Sequence, residues 1–404
     1  MNLSYKYKPI FLIFVYKHER EMKFIHISDL HIGKRVHEKS LLDEQVHILN
    51  QICDITEKHR PDAILIAGDV YDKAVPSGEA VLLFDEFLTR LSALTGHIFI
   101  ISGNHDSAER ISFGARLMDS KGVHLSPVYD GTVRPLTLSD PYGETDIYML
   151  PYIRPAIVRH FLPDEEKAEV TSYDDAVRKA IAGMDIDHGR RNILITHQFV
   201  TDAVRSESED VNVGGLDNVD ASAFECFDYV ALGHLHRPQD CGNERIRYCG
   251  SPLKYSFSEV EDVKTATIVT LNEKGSVVRE FEPLVPLHDW HDLRGTYEEL
   301  SSRDFYAGKP WTEDFVRITL TDEQDVPDAI GKLRPIYHNL LELRYDNKRT
   351  RAGMAVVEGG VRTEEKTPLE LFEELYERQN GDGMTRQQQD YLSEMIAKIR
   401  EEEK

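Results

Sequence analysis

Residues 24–33 read FIHISDLHIG, an apolar run that is followed at once by two potential metal ligands, Asp29 and His31. A short run of this kind is typical of a buried strand. Apolar runs at 63–67, 97–102, 192–196 and 229–232 repeat the arrangement, and amphipathic helical stretches separate the first three runs. The potential ligands that follow the later runs are Asp69, Asn104, His197, His234 and His236. The alternation predicts an α/β fold with crossover helices.

The positions of these side chains predict a single metal site. In an open α/β sheet the carboxyl ends of the strands share one edge, so loops that follow them converge. Carboxylate, amide and imidazole ligands without thiolate suit Mn²⁺, Fe²⁺ or Zn²⁺. Seven ligands are more than one ion needs. Two ions about 3.5–4 Å apart, bridged by Asp69, would use them all and clamp the attacking and leaving oxygens of a phosphoryl group.

Composition limits the classes of protein that this chain can belong to. Its 404 residues carry 48 Lys and Arg against 71 Asp and Glu, a formal net charge of −23. This balance argues against gripping nucleic acid by bulk electrostatics, so a DNA contact must be local, metal-mediated or helped by a partner. The four cysteines are scattered and form no Cys-x-x-Cys pair, so the sequence indicates neither a disulfide framework nor a zinc ribbon. A reducing cytoplasm fits this pattern best. No P-loop motif is present, so an ATPase would have to be another chain.

The chain divides into four predicted segments. The apolar run at residues 9–16 is too short to span a bilayer, so residues 1–21 are expected to be an extension or a miscalled start. Residues 22–262 form the first domain. Alternating residues at 265–271 and 277–281 predict a hairpin that opens a smaller α+β domain at 263–360. Residues 361–404 form an amphipathic helical tail, too narrow in its apolar stripes to make its own core.

Several motifs together resemble the calcineurin-like metallophosphoesterase superfamily and, within it, the family of bacterial SbcD nuclease subunits, relatives of the meiotic-recombination repair nuclease. The resemblance runs from Met22 to about residue 400. The segments that carry it are ISDLHIG (27–33), GDVYDK (68–73), SGNHDS (102–107), VGGLD (213–217), ALGHLHRP (231–238) and GSPLKYSFSE (250–259).

This resemblance implies a β-sandwich flanked by helices, with a smaller α+β capping domain and the helical tail. It implies one ion on Asp29, His31, Asp69 and His236, and another on Asp69, Asn104, His197 and His234. His105 would face the substrate and protonate the leaving oxygen. Asp72 stands where some repair nucleases have His, which makes an Asp72–His105 orienting pair plausible.

The resemblance further implies a Mn²⁺-dependent activity on DNA: an ATP-dependent double-strand 3′–5′ exonuclease and a single-strand endonuclease in repair, recombination and hairpin processing. The implied partner is an SbcC-like coiled-coil ATPase, docked by the tail, with the nuclease subunit as a homodimer in a heterotetramer and no membrane association. Two alternatives stay open: a small-molecule phosphodiesterase or phosphatase, and a non-catalytic scaffold. Complete retention of the ligands argues against the scaffold, and the extra domain and helices favour the nuclease.

Substrate contacts are harder to assign from sequence. Lys34, Arg35, Arg237, Ser251 and Lys254 lie near the ligand loops and could position a phosphate. Lys348, Arg349 and Arg351 could do so from the small domain, but a solvated face or a turn is an equally good interpretation for each of these residues.

Overall fold

The computed structural model describes residues 20–201, 203–209, 217–348 and 350, and in the C-terminal stretch residues 369, 372, 373, 376 and 384–402. Most of the predicted N-terminal extension, the VGGLD motif up to Leu216 and much of the tail lie outside the described residues.

The strands, in chain order, are β1 (Met22–Ile27), β2 (Arg35–Val36), β3 (Lys39–Ser40), β4 (Ala63–Ala67), β5 (His97–Ile101), β6 (Val123–Leu125), β7 (Leu136–Asp140), β8 (Gly143–Leu150), β9 (Arg191–His197), β10 (Phe199–Val200), β11 (Asn218–Val219), β12 (Tyr229–Gly233), β13 (Gln239–Cys241), β14 (Asn243–Tyr248), β15 (Thr265–Leu271), β16 (Val277–Pro283), β17 (Trp290–Gly295), β18 (Phe315–Leu320) and β19 (Asn339–Tyr345). The α-helices are α1 (Leu42–His59), α2 (Gly78–Leu94), α3 (Ala108–Ile111), α4 (Ala115–Met118), α5 (Pro155–Phe161), α6 (Tyr173–Ala182), α7 (Tyr297–Leu300), α8 (Arg303–Tyr306), α9 (Ala329–Leu333) and α10 (Arg386–Glu402).

Two six-stranded sheets organise the larger part of the chain. The first has the order β16-β15-β1-β4-β5-β6, and its last four strands are parallel. The second has the order β13-β14-β12-β9-β8-β7, with β8, β9, β12 and β14 parallel. All five strands predicted from the apolar runs are present.

The two sheets pack face to face over an apolar core. Phe24, Leu65 and Phe99 of the first sheet meet Ile195 and Tyr229 of the second, and all are fully buried. Separate apolar clusters cover the outer faces, with α1 and α2 on the first sheet and α5 and α6 on the second. The predicted β-sandwich flanked by helices is confirmed.

The boundary at residue 262 stays a prediction, but the hairpin that follows it joins the first sheet. The hairpin of β15 and β16 forms as expected, but β15 pairs antiparallel with β1 and so belongs to the first sheet. Val269 and Leu271 point into the core between the sheets. The alternating pattern identified the hairpin correctly but could not tell which sheet it would extend.

Beyond the hairpin the strands β17, β18 and β19 form a three-stranded sheet. Two of them, β18 and β19, match the strands predicted at 315–320 and 340–344. Two compact units result. The larger covers residues 20–294, 298–319 and 328–344, and the smaller covers 295–297, 320–327 and the described residues from 345 onward. Within the part of the chain that the structure describes, none of the helices combines the length and apolarity needed to cross a membrane.

Candidate metal centre

The strand ends of both sheets meet at one buried cluster of polar side chains. The first sheet supplies the residues after β1, β4 and β5, and the second sheet supplies those at the ends of β9 and β12. The sequence predicted convergence at the edge of one sheet; the structure achieves it with two. The side chains concerned are almost entirely buried: Asp29, His31, Asp69, His197, His234 and His236.

The backbone is unusual at these positions. Asp29, His31, Asp69 and His234 all have positive φ, at 52°, 43°, 49° and 107°. Each left-handed non-glycine residue is disfavoured by about 1–3 kcal/mol and persists only where the surroundings enforce it. Main-chain bonds do so here, since the Asp29 and His31 amides donate to Gly68 and Asp69 carbonyls at 3.0 Å each. Four of the eight non-glycine residues with positive φ in the described chain are therefore candidate ligands.

Two glycines allow the loops to close on one another. A Cβ on Gly68 would lie 2.5 Å from Nδ1 of His197, and a Cβ on Gly103 would collide with the Asp69 carboxylate. Asp106 ties the same loops together, because its carboxylate accepts hydrogen bonds from the amides of Val70, Tyr71 and Gly103 at 3.0–3.1 Å. Burial and the nearby Asp69 charge raise the pKa of Asp106 to about 6.

Asp69 lies at the centre of the cluster. Its Oδ2 is 3.3 Å from Nε2 of His197, 3.6 Å from Nε2 of His31 and 4.0 Å from Nε2 of His105. Burial alone would raise the pKa of Asp69, but the charge and hydrogen bond of His197 outweigh it and hold the pKa well below its usual range. Burial would likewise lower the pKa of His197, yet Asp69 raises it to about 9. A carboxylate in this position can face two cations at once.

On one side of Asp69 lie Asp29, His31 and His236, whose ligand atoms are within 4.8 Å of one another. The Nε2 atoms of His31 and His236 are 3.1 Å apart. Burial lowers the pKa of His31 and raises that of Asp29. Two imidazole nitrogens and a carboxylate turned toward one point, out of water, are what a divalent cation needs.

On the other side lie Asn104, His197 and His234. Oδ1 of Asn104 is 2.9 Å from Nε2 of His197 and 3.0 Å from Nδ1 of His234. Nδ1 of His197 lies 2.8 Å from the carbonyl of Ala67, which can only accept, so this nitrogen carries a hydrogen. Nε2 of His197 therefore faces other acceptors, and either a proton or a bound cation satisfies it. The residues fit a metal here too.

Three residues that the sequence interpretation did not single out hold His236 in place. Its Nδ1 contacts Ser208 Oγ at 2.6 Å, and its amide donates to Glu209 Oε1 at 2.6 Å. Ser208 in turn donates to Glu259 Oε1 at 2.6 Å. Burial would raise the pKa of Glu259, but the adjacent Lys264 keeps it well below its usual range. Glu259 is the last residue of the GSPLKYSFSE segment. That motif was the one feature of the sequence that could have pointed to its role.

His105 lies at the open side of the cluster. Its amide donates to Asp69 Oδ1 at 2.9 Å, and its side chain is 20 % exposed. Its Nδ1 contacts the main-chain carbonyl of Asp72 at 3.2 Å. The Asp72 carboxylate instead forms an ion pair with Lys34 at 2.9 Å and lies 3.7 Å from Nδ1 of His31. The structure thus brings Asp72 to His105 through the backbone, where the sequence suggested a side-chain pair.

The five candidate substrate contacts fall into two groups. Lys34 and Arg35 line a cavity of about 340 Å³ that also includes Ser208 and Tyr255. Arg237, like these two residues, keeps part of its side chain accessible: it is 37 % exposed and forms an ion pair with Asp262 at 2.8 Å.

Ser251 and Lys254 differ from that group. Ser251 is fully buried, donates to the Leu253 carbonyl at 2.6 Å and accepts from Lys264. Lys254 is almost fully buried and donates to the Val260 carbonyl and to Asp289. Substrate contact by either residue stays a prediction, and the polar atoms of both are engaged inside the protein. Lys348 lies in the smaller unit, and Arg349 and Arg351 lie outside the described residues.

Comparison with known proteins agrees with this geometry. Residues 22–238 match the family model for calcineurin-like phosphoesterases, and residues 283–380 match one described as the type 5 capsule protein repressor C-terminal domain. The SbcD subunit of the SbcCD nuclease of Staphylococcus epidermidis is 33 % identical over 326 residues, 80 % of this chain and 85 % of that protein. The corresponding SbcD protein of Staphylococcus saprophyticus is 28 % identical over 385 residues, 94 % and 99 % of the two chains.

Among solved structures, the crystal structure of a dimetal phosphatase from Danio rerio is similar with a TM-score of 0.40 and 12 % identity. The match covers 65 % of this chain and 96 % of that one.

Proposed function

Because the chain belongs to the calcineurin-like phosphoesterases and, within them, to the SbcD nuclease subunits, we propose that it hydrolyses DNA phosphodiester bonds as the nuclease subunit of an SbcCD-like complex. The observation that carries the proposal is the convergence of one further carboxylate, four imidazoles and one amide around Asp69, in a buried and strained cluster. Such a set binds divalent metal.

We assign two ions to this cluster, most favourably Mn²⁺. Asp29, His31, Asp69 and His236 would hold one ion, and Asp69, Asn104, His197 and His234 the other. Two ions held there would supply positive charge beside a phosphoryl group and would help to orient the attacking and leaving oxygens. The mixture of carboxylate, amide and imidazole ligands is compatible with Mn²⁺ and offers no thiolate for softer metals.

His105 would act on the substrate from the rim of the cluster. It protonates the leaving oxygen, and the carbonyl of Asp72 supports this role because it fixes Nδ1 as the hydrogen-bearing nitrogen. In the imidazolium form Nε2 also carries a hydrogen, and this is the hydrogen that would pass to the leaving oxygen. Asp72 is a positioning residue in this proposal and its carboxylate is not a ligand.

The DNA strand would run past Lys34 and Arg35. The cavity that they line continues to Arg317 and Arg344. Arg317 and Arg344 are paired with Asp292 and Glu342, so a phosphate would have to share these cations rather than find them free. This local basic strip supports the prediction that an acidic chain contacts DNA only near its metal centre.

The proposed assembly joins a dimer of this chain to an SbcC-like ATPase that confers ATP dependence. Phe113 and Leu117, just after the His105 loop, are 84 % and 81 % exposed, which supports pairing with a second copy. In the tail, α10 leaves Tyr391 68 % and Met395 42 % exposed, which supports docking of the ATPase there. The four cysteines are all unpaired, and we place the complex in the cytoplasm.

One assay tests the proposal and its alternatives. The full chain, with and without the ATPase, is given linear duplex, hairpin DNA and bis-p-nitrophenyl phosphate in Mn²⁺ or EDTA. We expect Mn²⁺-dependent hydrolysis of the small diester by the chain alone, and ATP-dependent duplex degradation only with the partner. A chain truncated before residue 366 should keep the first activity and lose the second. Hydrolysis of the small diester without any DNA cleavage would favour a small-molecule phosphodiesterase or phosphatase. The absence of any hydrolysis would favour a non-catalytic scaffold.

A further inference from the structure

A buried chain of hydrogen bonds leads from His236 to an ion pair. Glu259 is fully buried, and Lys264 is 4 % exposed. The Lys264 ammonium has three hydrogen-bond acceptors: Glu259 Oε2 at 2.6 Å, the His236 carbonyl at 2.7 Å and Ser251 Oγ at 3.1 Å. A lysine ammonium has three hydrogens, so this buried cation is fully satisfied. The ion pair is therefore fixed in position, and Lys264 binds it to the main chain of His236.

The hydrogens along the chain can be assigned from the donors available. The Glu259 carboxylate, ionised in its pair with Lys264, can only accept, so the single hydrogen of Ser208 points to Glu259 Oε1. Ser208 Oγ must then accept from His236, which places a hydrogen on Nδ1. The lone pair of His236 is consequently on Nε2, the atom that faces His31.

We propose that Ser208, Glu259 and Lys264 are positioning residues that set the affinity of one of the two metal ions by fixing the tautomer and orientation of His236. A histidine ligand held by an acceptor on its far nitrogen binds metal more tightly, and loss of such a support typically lowers metal affinity about 10- to 100-fold. The proposal rests on the ligand set of the proposed function. It also gives the GSPLKYSFSE segment a role that neither its turn composition nor substrate contact provided.

The two halves of the centre differ in this respect. His197 is oriented by a main-chain carbonyl, that of Ala67, which no substitution removes. His236 is oriented by a side chain on a separate segment, which a substitution can remove. Loss of the Ser208 hydroxyl should therefore weaken the binding of one metal ion and leave the binding of the other unchanged.

The test is a calorimetric titration of the metal-free full chain with Mn²⁺. In Ser208→Ala we expect one of two binding steps to weaken about 10- to 100-fold while the other step is unchanged. Ser208→Thr, which keeps a hydroxyl, should restore most of the lost affinity. Ser256→Ala is the matched control, because Ser256 also donates to Glu259 Oε1, at 2.9 Å, but belongs to a different link of the network. Its two steps should match those of the wild type.

Thermal unfolding of the metal-free variants provides a second readout, and Ser208→Ala should unfold near the wild-type temperature. His236→Ala is the reference and should lose one step. If Ser208→Ala binds like the wild type while His236→Ala loses a step, the positioning role is overturned and the ligand set stands. If His236→Ala also keeps both steps, the ligand set itself is wrong. Equal weakening of both steps, or no recovery in Ser208→Thr, would also overturn the positioning role.

Discussion

The Nε2 atoms of His31 and His236 lie 3.1 Å apart although the residues are 205 positions apart in the chain. His31 follows β1 of the first sheet, and His236 follows β12 of the second. This half of the centre therefore exists only when the two sheets are packed together. Metal binding and assembly of the sandwich should be coupled for that reason, since a ligand that binds only the folded state stabilises it.

The role of His105 can be separated from metal binding. Geometry alone would also allow His105 to be a ligand, because it groups with His31 and Asp69 as a possible metal site. We expect His105→Asn to lower turnover about 100- to 10,000-fold, as the loss of a general acid does, with the metal content unchanged. Elemental analysis beside a diester hydrolysis assay is the measurement, and His31→Asn is the comparison that should lose metal. A loss of metal in His105→Asn would make it a ligand.

The Asp72 substitution tests which part of that residue matters. The contact to His105 comes from the main-chain carbonyl, which Asp72→Asn keeps, while the carboxylate pairs with Lys34. We expect this variant to retain turnover within about tenfold of the wild type, less than a lost general acid or base would cause. A fall of a hundredfold or more in Asp72→Asn would assign the catalytic support to the carboxylate.

Substitution of the exposed apolar residues after the His105 loop tests whether they form the proposed dimer contact. Phe113→Asp combined with Leu117→Asp should convert the chain to a monomer, because buried unpaired carboxylates in an apolar interface are strongly unfavourable. Sedimentation velocity measures the change. Val263→Asp, at a valine that is 70 % exposed elsewhere on the larger unit, is the matched control and should stay dimeric. A double variant that sediments like the wild type would place the dimer contact elsewhere.

His26 should make the stability of the fold depend on pH. It is fully buried, with its ring nitrogens 3.0 Å from the Tyr229 hydroxyl and 3.2 Å from the Leu232 carbonyl. Burial, helped by the charge of Arg247, lowers the pKa of His26 to about 3. Because the unfolded chain takes up this proton near pH 6.5 and the folded chain does not, the free energy of unfolding should fall as the pH drops from about 6.5 toward 3.

The measurement is urea unfolding in EDTA between pH 7 and 5, with His26→Asn beside the wild type. The slope contributed by one such group approaches about 1.4 kcal/mol per pH unit. The variant should be less stable at pH 7 and should show a shallower dependence on pH. Parallel pH curves for the two proteins would mean that His26 does not resist protonation in the folded state.

The sequence located the strands better than it located their pairing partners. Each apolar run identified its strand, and each candidate ligand lies at or just after a strand end, because both are local properties of a few neighbouring residues. The placement of β15 depended on pairing with β1, more than 200 residues away, and alternation carries no information about partners. The roles of Ser208 and Glu259 were hidden for the same reason, since only the folded chain brings them to His236.

Asp69 is proposed to bridge two ions, and the decisive measurement of that role is the Mn²⁺ stoichiometry of the Asp69→Asn variant. The wild-type chain should bind two Mn²⁺ and hydrolyse bis-p-nitrophenyl phosphate. The variant should bind at most one tightly and should lose the activity, because an amide offers a neutral oxygen where a shared carboxylate is needed. Two tightly bound ions in the variant, or a single ion in the wild type, would contradict the bridging role.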